Sequence, residues 1–468
     1  LRLLSLALVC AVLLQVLAAA FGGSLLGRTC QLAMIWAPAV LVRTPEAIVQ
    51  ALESSGPVFI KLAQWLSTRR DLLSAELCDA MGQLHERVQL DSMPGDWLFA
   101  EQTVPGLRVG ELLGGGCIAQ VFTGELSVQG GTTRQVAVKV RRRGVSTLMR
   151  TDVALLRWTA WWAEWLRPDL QWLAMELAVD HFGEYLLQQA DLRIEAANLK
   201  SFARNFRFVG SVRIPRVFVG EERVLVTDIA LGVSLSEFVK QKHDDVVRKA
   251  VFESLTDLMA RMILRDNFIH GDLHPGNIFV STGPLFAGGR APQLEITLID
   301  AGISIEMSSN LTRMARNSMR AAFNMDALGL GKAVVRLHVD EGLSTHGRDL
   351  DRLEHKLGYL LLAGCFMCDE DIWGEMFESY EAYRGSRVSE YFVRMMTLLS
   401  EHKVRIAPPL WSLMTAFALV EGSVQELGYG VNVLRSARPY LFRPGDVLGR
   451  IGSLLRIANS EKRHRSSE

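Results

Sequence analysis

The stretch Phe268–Val280, FIHGDLHPGNIFV, read with LIDAG at Leu298–Gly302, constrains this chain more than any other. From His270 to Asn277 it sets polar and turn-forming residues between apolar runs that read as short buried segments. Polar groups placed there need a function.

Phosphoryl transfer suits this set, because positioning and charge neutralisation supply most of its catalysis. Asp272 can orient or deprotonate an attacking hydroxyl or water, and Asn277 can give Mg²⁺ a neutral oxygen. Asp300 follows the apolar strand at 296–299 and would add the anionic ligand. Mg²⁺ takes one or two carboxylates plus phosphate oxygens and water, so Asp300, Asn277 and a nucleotide suffice. The spacing D-x-x-x-x-N followed by D-x-G matches the protein-kinase order. Gly271, just before the aspartate, does not match it. Two other readings stay open from the residues alone: a plain structural turn, or a transition-metal pair His270/His274, which lacks a nearby third ligand.

H-G-D-L-H-P-G-N followed by I-D-A-G resembles the signature of the UbiB/AarF-domain atypical kinases. The resemblance runs from about Val58 to about Tyr429. It implies a bilobal, protein-kinase-like α/β fold with ATP and Mg²⁺ as cofactors. The activity it implies is that of a kinase or ATPase supporting coenzyme Q biosynthesis or mitochondrial lipid metabolism. Implied partners are membrane lipids and coenzyme Q biosynthesis proteins; association with a second copy stays open. The alternatives are a catalytically weak, nucleotide-sensing or lipid-binding scaffold, and an ordinary protein kinase.

Upstream, Arg108–Val140 reads as three strands, with Gly114-Gly115-Gly116-Cys117 between the first two as a loop able to approach phosphates closely. In Val136–Lys139 the alternation puts the valines on one face and Lys139 on the other, where it can meet nucleotide phosphates. The family usually has alanines in the loop, so the glycines leave nucleotide selectivity open. The resemblance makes Glu195, in the Glu-Ala-Ala segment, the partner of Lys139. The family's E-x-D reads Gln189-Ala190-Asp191, keeping only the second carboxylate. It also implies that backbone groups of Asp228, Ile229 and Ala230 bind adenine, and that Lys61 and Gln64 of K-L-A-Q belong to an extension folded over the site, restricting protein substrates.

Periodicity predicts a helix starting near Pro57 within Glu53–Arg70 and a second over Ser74–Val88. Trp158, Trp161, Trp162 and Trp165 fall on one helix face, read first as a buried interhelical seam and alternatively as a membrane-facing aromatic patch. After Gly302 there is no A-P-E segment, and the chain turns helical from about Asn310 to about Tyr429. Cys365 and Cys368 form a lone C-x-x-C, read as incidental thiols. The tail from Arg450 reads as a short amphipathic helix.

Leu3–Gly27 runs 25 positions without a charge, enough as a helix for a ~30 Å hydrocarbon core. With the resemblance, this predicts a single-pass mitochondrial anchor, expected in the inner membrane; a secretory signal ending near Ala20 competes. Charge balances at 51 basic and 51 acidic residues, which gives no support to a nucleic-acid partner. The six cysteines are too irregularly spaced for a disulfide scaffold. The expected organisation is an anchor and linker (1–45), a helical extension (46–107), a nucleotide lobe with a helical insertion (108–228), a helical lobe with the catalytic loop (229–430) and a tail (431–468).

Overall fold

Two prolines and one glycine divide the N-terminal part into separate helices. A computed structural model describes residues 25–67, 73–82, 84, 96–128, 131–167, 175–282, 294–340, 350–366, 433–441 and a few positions between 394 and 427. Helix α1 (Leu25–Val42) is, among the described residues, the one helix long and apolar enough to cross a membrane by length and composition. Most of the anchor expected at Leu3–Gly27 lies outside the described residues. Thr44 caps α2 (Pro45–Ser55) by accepting from the Ala47 N–H, with Pro45 in the first turn. Gly56, at φ +97°, then redirects the chain into α3 (Pro57–Leu66). Arg69 and Arg70 lie outside the described residues, as does the end of the second expected helix, of which α4 (Ala75–Gly82) is the described part.

After α5 (Asp96–Thr103) come β1 (Leu107–Gly115), β2 (Ala119–Val128) and β3 (Thr132–Arg141). Val136, Val138 and Val140 are fully buried in one core with Ala100 of α5 and Val104 just after it. Each such valine contributes about 1.5–3 kcal/mol by leaving water. The alternation turns Lys139 to the other face.

The insertion forms α6 (Val145–Leu166) and α7 (Met175–Gln189), followed by α8 (Leu192–Phe206). Met149 and Val153 of α6 and Leu186 of α7 share one core with Val58, Phe59 and Ala63 of α3. Insertion and extension are thus packed as a unit, across the boundary expected near residue 107. Arg28 of α1 joins that unit: it pairs with Asp152 of α6 at 2.6 Å, with 7% and 0% of the two side chains exposed, and donates to the Ser55 carbonyl. The tryptophans of α6 do not form the buried seam expected of them. Trp158, Trp161, Trp162 and Trp165 are exposed, because the buried side of α6 is supplied instead by Met149, Val153 and Ala160. Trp172 lies outside the described residues.

Beyond α8, β4 (Val212–Arg213), β5 (Val217–Gly220) and β6 (Val224–Asp228) follow, and the first sheet closes in the order β1-β2-β3-β6-β5, antiparallel throughout. β7 (Val233–Ser234) leads into α9 (Leu235–Lys240) and α10 (Asp245–Arg261), and then a five-residue π-helical turn reaches β8 (Ile269–His270). β9 (Ile278–Thr282) and β10 (Leu294–Leu298) pair antiparallel, and β11 (Ser304–Ile305) pairs with β8. These short ladders, backed by Leu255, Leu258 and Ile269, hold the loop 271–277 and the turn 299–303 side by side.

The second lobe continues through α11 (Ser309–Phe323), α12 (Ala327–Asp340), α13 (Leu350–Phe366) and α14 (Val433–Leu441). α12 and α13 approach with backbone against backbone. A Cβ on Gly331 would meet the Glu354 carbonyl, and one on Gly358 the Ala327 carbonyl. Cys368 and the tail from Arg450 lie outside the described residues, and of Cys365 only its place at the end of α13 is described. The whole is the expected bilobal, kinase-like α/β arrangement: a sheet-based lobe and a helical lobe with the HGDLHPGN loop between them.

Candidate active site

Lys139 stands on the central strand β3, its Nζ 2.8 Å from Glu195 Oε2 and 2.6 Å from Asp300 Oδ1. Glu195 comes from the first turn of α8, whose N-terminus Asp191 caps by accepting from the Arg193 N–H. Asp300 sits just past β10 at φ +56°, a left-handed conformation that a side-chain-bearing residue rarely adopts. One ammonium therefore joins the sheet lobe, α8 and the second lobe.

The electrostatics follow from that sharing. Burial pulls the Lys139 ammonium down, but Asp300 and then Glu195 outweigh it, so its pKa is raised. Burial pushes Asp300 up, and Lys139 more than compensates, holding it below the ordinary carboxylate range. Glu195 is pushed up to about 7 by burial, with Lys139 opposing and the Asp300 charge adding to the rise. Lys139 gives its shorter contact to Asp300, leaving Glu195 the weaker acid of the two.

The catalytic-loop candidates sit beside the Asp300 turn, to which their loop is bonded through Asn277 and Gly271. Lys61 Nζ of α3 reaches Asp272 Oδ2 at 3.2 Å across 211 residues of chain. Burial disfavours the Asp272 carboxylate, yet the Lys61 ammonium, by its charge and its hydrogen bond, keeps its pKa below the usual range. The Lys61 ammonium is lowered by burial and raised further by Asp272, Cys117 and Asp300, with a net upward shift. Asn277 donates its Nδ2 to the Asp272 carbonyl at 2.8 Å, which fixes the amide and turns its oxygen away from that bond.

Both histidines are spent on backbone. His270 Nε2 lies 3.0 Å from the Ile299 carbonyl, and its Nδ1 is 3.3 Å from the Asp272 N–H. A carbonyl only accepts and an amide only donates, so the ring is neutral with its proton on Nε2; burial, lowering its pKa, agrees. His274 Nδ1 accepts the Gly276 N–H. The metal-pair reading therefore fails, and among the described residues no cluster of three or more His, Cys, Asp or Glu could hold a metal. Gly271 stands where kinases carry arginine because a Cβ there would strike Ile303.

Several expected site residues are placed differently. Gly114 and Gly115 are not loop residues: they continue β1, opposite Val121 and Gln120, because the antiparallel ladder with β2 runs on to its end. The Gly116 N–H donates to Ala119 at 2.7 Å, leaving Cys117 and Ile118 at the tip. Ile118 packs into the core shared by α3 and α6, and burial raises the Cys117 thiol despite Lys61 beside it. Gln64 donates to the Leu84 carbonyl at 3.1 Å, bracing the extension rather than facing Asp272. Asp191 is likewise occupied, pairing with Arg193 at the α8 cap, and does not reach Lys139. At the hinge, the Asp228 N–H donates to the Arg216 carbonyl and its carboxylate accepts from the Arg216 N–H, so of the backbone groups expected to meet adenine the Asp228 N–H is already engaged.

Sequence reasoning missed Asn198, whose Nδ2 donates to the Ala301 carbonyl at 2.8 Å. It sits three residues after Glu195 on the same helix face, which was the available signal. Gln189, where the resemblance leads one to expect a carboxylate, lies beside the Asp300 turn: its Cγ would be 3.7 Å from a Cβ on Gly302.

The donor set fits a hydrated Mg²⁺ with a nucleotide. Lys139 takes one oxygen of Asp300 and leaves the other, the Asp300 side chain is 42% exposed, and the Asn277 amide oxygen is oriented by its bonded Nδ2. One carboxylate and one amide oxygen are what such a cation takes from protein when phosphates and water complete its shell.

Residues 111–334 match the ABC1 atypical kinase-like domain. A mitochondrial ABC1 family protein of Saccharomyces cerevisiae is 27% identical over 453 residues, an alignment covering 84% of this chain and 66% of that protein. The probable protein kinase UbiB of Edwardsiella ictaluri is 28% identical over 409 residues, covering 85% of this chain and 70% of that protein. The chain thus spans about two thirds of these relatives' own lengths. Among solved structures, the Rv3197–erythromycin complex from Mycobacterium tuberculosis superposes with a TM-score of 0.48 at 19% identity, over 82% of this chain and 92% of that one.

Proposed function

We propose that this chain, whose residues 111–334 form an ABC1 atypical kinase-like domain of the UbiB/AarF family, binds Mg-ATP in the cleft between its lobes. It then catalyses phosphoryl transfer to a small molecule or lipid, or hydrolysis coupled to one. The single observation that carries this is Lys139 held between Glu195 and Asp300, with the Asp300 turn bonded through its backbone to the loop that carries Asp272 and Asn277.

Lys139 binds nucleotide phosphates, and Glu195 keeps it pointed into the cleft. Asp300 and Asn277 hold the metal, whose charge, when bound, offsets that developing on the transferred phosphoryl group. Asp272, ionised beside the Lys61 ammonium, orients the attacking hydroxyl or water and accepts its proton. His270 fixes Asp272 relative to Ile299 and Asp300 through the backbone. Lys61 brings the extension directly onto Asp272, which supports a small or lipid substrate over a polypeptide. With relatives named as mitochondrial ABC1 protein and as UbiB, the reading extends to a mitochondrial setting, anchored once in the inner membrane by the N-terminal apolar segment, and to ubiquinone or related lipid metabolism.

Gln189 beside Gly302, where the family resemblance leads one to expect a carboxylate, favours one second reading: a nucleotide-sensing scaffold with weak turnover. The test is Mg²⁺-dependent ATP binding and hydrolysis by the full chain in phospholipid vesicles, beside Asp300→Asn and Lys139→Ala. Turnover lost in both variants supports the enzyme. Binding without turnover in the wild type moves the reading to the scaffold, and no binding overturns both.

A further inference from the structure

The C-terminal half of α6 carries an aromatic surface that the nucleotide site does not use. Trp158, Trp161, Trp162 and Trp165 are 58%, 45%, 36% and 61% exposed, and Leu166 beside them is 64% exposed. The rings form one continuous patch. Trp162 is its hub, edge-to-face with Trp158 at 6.0 Å, Trp161 at 5.1 Å and Trp165 at 5.2 Å. Scattered apolar residues on a surface are ordinary, but four adjacent indoles on one helix are not.

We propose that this tryptophan face seats in the headgroup region of a phospholipid bilayer, holding the helical unit of α1–α4, α6 and α7 against the membrane surface. Three observations choose the bilayer over another occupant. Indole is the side chain best suited to that zone, since its apolar body and N–H donor meet the acyl chains and the wet headgroups together. The second is what α6 is fastened to. The buried Arg28–Asp152 pair fixes it to α1, whose ends expose Leu25, Leu26, Val40, Leu41 and Val42 and whose composition suits a membrane span. The third is the sequence just before α1, uncharged from Leu3 to Ser24, so the chain reaches this unit through an apolar segment. The helix that carries the patch is therefore fastened, through one buried ion pair, to the most membrane-suited part of the protein. Its few nearby charges are mixed: Arg157 pairs with Asp180, and the Glu164 carboxylate accepts from the Glu176 N–H. Seating by indole does not require anionic lipid.

The inference is independent of the nucleotide site and is tested apart from it. The full chain is reconstituted into phosphatidylcholine vesicles containing lipids brominated at defined acyl depths, and tryptophan quenching is compared with that of Trp158→Ser/Trp161→Ser/Trp165→Ser. Aqueous iodide is applied to both in parallel. Shallow bromines should quench the wild type more than deep ones, and the triple variant should lose most of that shallow component while the far-UV spectrum stays unchanged. If the triple variant does not fold, Trp161→Ser and Trp165→Ser singly should each lose part of the component. Equal quenching in wild type and variants overturns the proposal. Iodide quenching of the patch without lipid quenching shows a water-facing surface and also overturns it. Protection from both quenchers shows cover by protein, either the chain's own N-terminal residues or a second copy, and overturns it as well.

Discussion

Asn198 Nδ2 donates to the carbonyl of Ala301 at 2.8 Å, tying helix α8 to the turn that presents Asp300. The same helix positions Glu195 one turn earlier, so a single element sets both the partner of Lys139 and the height of the turn that carries Asp300. Ala301 stands where protein kinases carry a phenylalanine whose packing toggles that turn. A side-chain hydrogen bond here does the fixing instead.

Asn198→Ala should therefore weaken the metal side of the site more than the phosphate side. A hydrogen bond of this kind contributes about 1 kcal/mol, or roughly a fivefold effect. The Mg²⁺ concentration for half-maximal nucleotide binding should rise by about that factor, while metal-free nucleotide binding stays as in the wild type. Titrating Mg²⁺ at fixed nucleotide, by calorimetry or a fluorescent analogue, measures the split. An equal loss in both would mean that Asn198 merely supports the fold.

Removing Lys61 tests the contact between the extension and the catalytic loop. Asp272 is held below its ordinary value, so its carboxylate persists to low pH; without Lys61 that value rises. The acid limb of the ATP-hydrolysis profile should shift to higher pH in Lys61→Met. An unshifted limb would show that Asp272 does not set it.

Glu195 titrates in the opposite sense. Its folded pKa, about 7, lies above the ordinary 4.5, so between those values the folded chain holds a proton that the unfolded chain lacks. Its contribution to stability is then fully present below about 4.5, falls as pH rises through the window to about 7, and levels off above. Function runs the other way, because a protonated Glu195 releases Lys139 to Asp300 alone. Nucleotide affinity should fall as pH drops from 8 to 6 in the wild type, whereas Glu195→Gln should be weak and flat across that range. A wild-type affinity independent of pH would sink this account.

The Arg28–Asp152 pair makes a stability test far from the cleft. Truncating one partner of a buried pair leaves an unpaired charge and costs about 3–5 kcal/mol. Arg28→Met should lower the unfolding midpoint sharply, since Asp152 is fully buried and the Ser55 carbonyl also loses its donor. A change below about 1 kcal/mol would mean that water reaches Asp152.

The polar loop Asp272–Asn277 and Asp300 could be read from sequence because they interrupt apolar segments that the core demands. Lys139 could be read because strand alternation separates it from three valines. What escaped was decided by neighbours distant in sequence. A helical period shows that Trp158, Trp161, Trp162 and Trp165 share a face, but not whether another element covers it. Three glycines suggest a loop, but only the pairing with Val121 and Gln120 shows that two of them finish a strand. Asn198 looks like any helix-surface amide until Ala301, 103 residues later, folds back beneath it.

The contact of α12 with α13 has a consequence at the level of the gene. Gly331 and Gly358 each face a carbonyl of the opposite helix with no room for a Cβ. Every amino acid that a single-nucleotide missense change can put in place of glycine carries a Cβ, so no one-step replacement spares the contact. At most buried positions some neighbouring codon encodes a tolerable side chain. These two are exceptions, and any replacement at either should push α12 and α13 apart even though neither helix carries Lys139, Asp272 or Asp300.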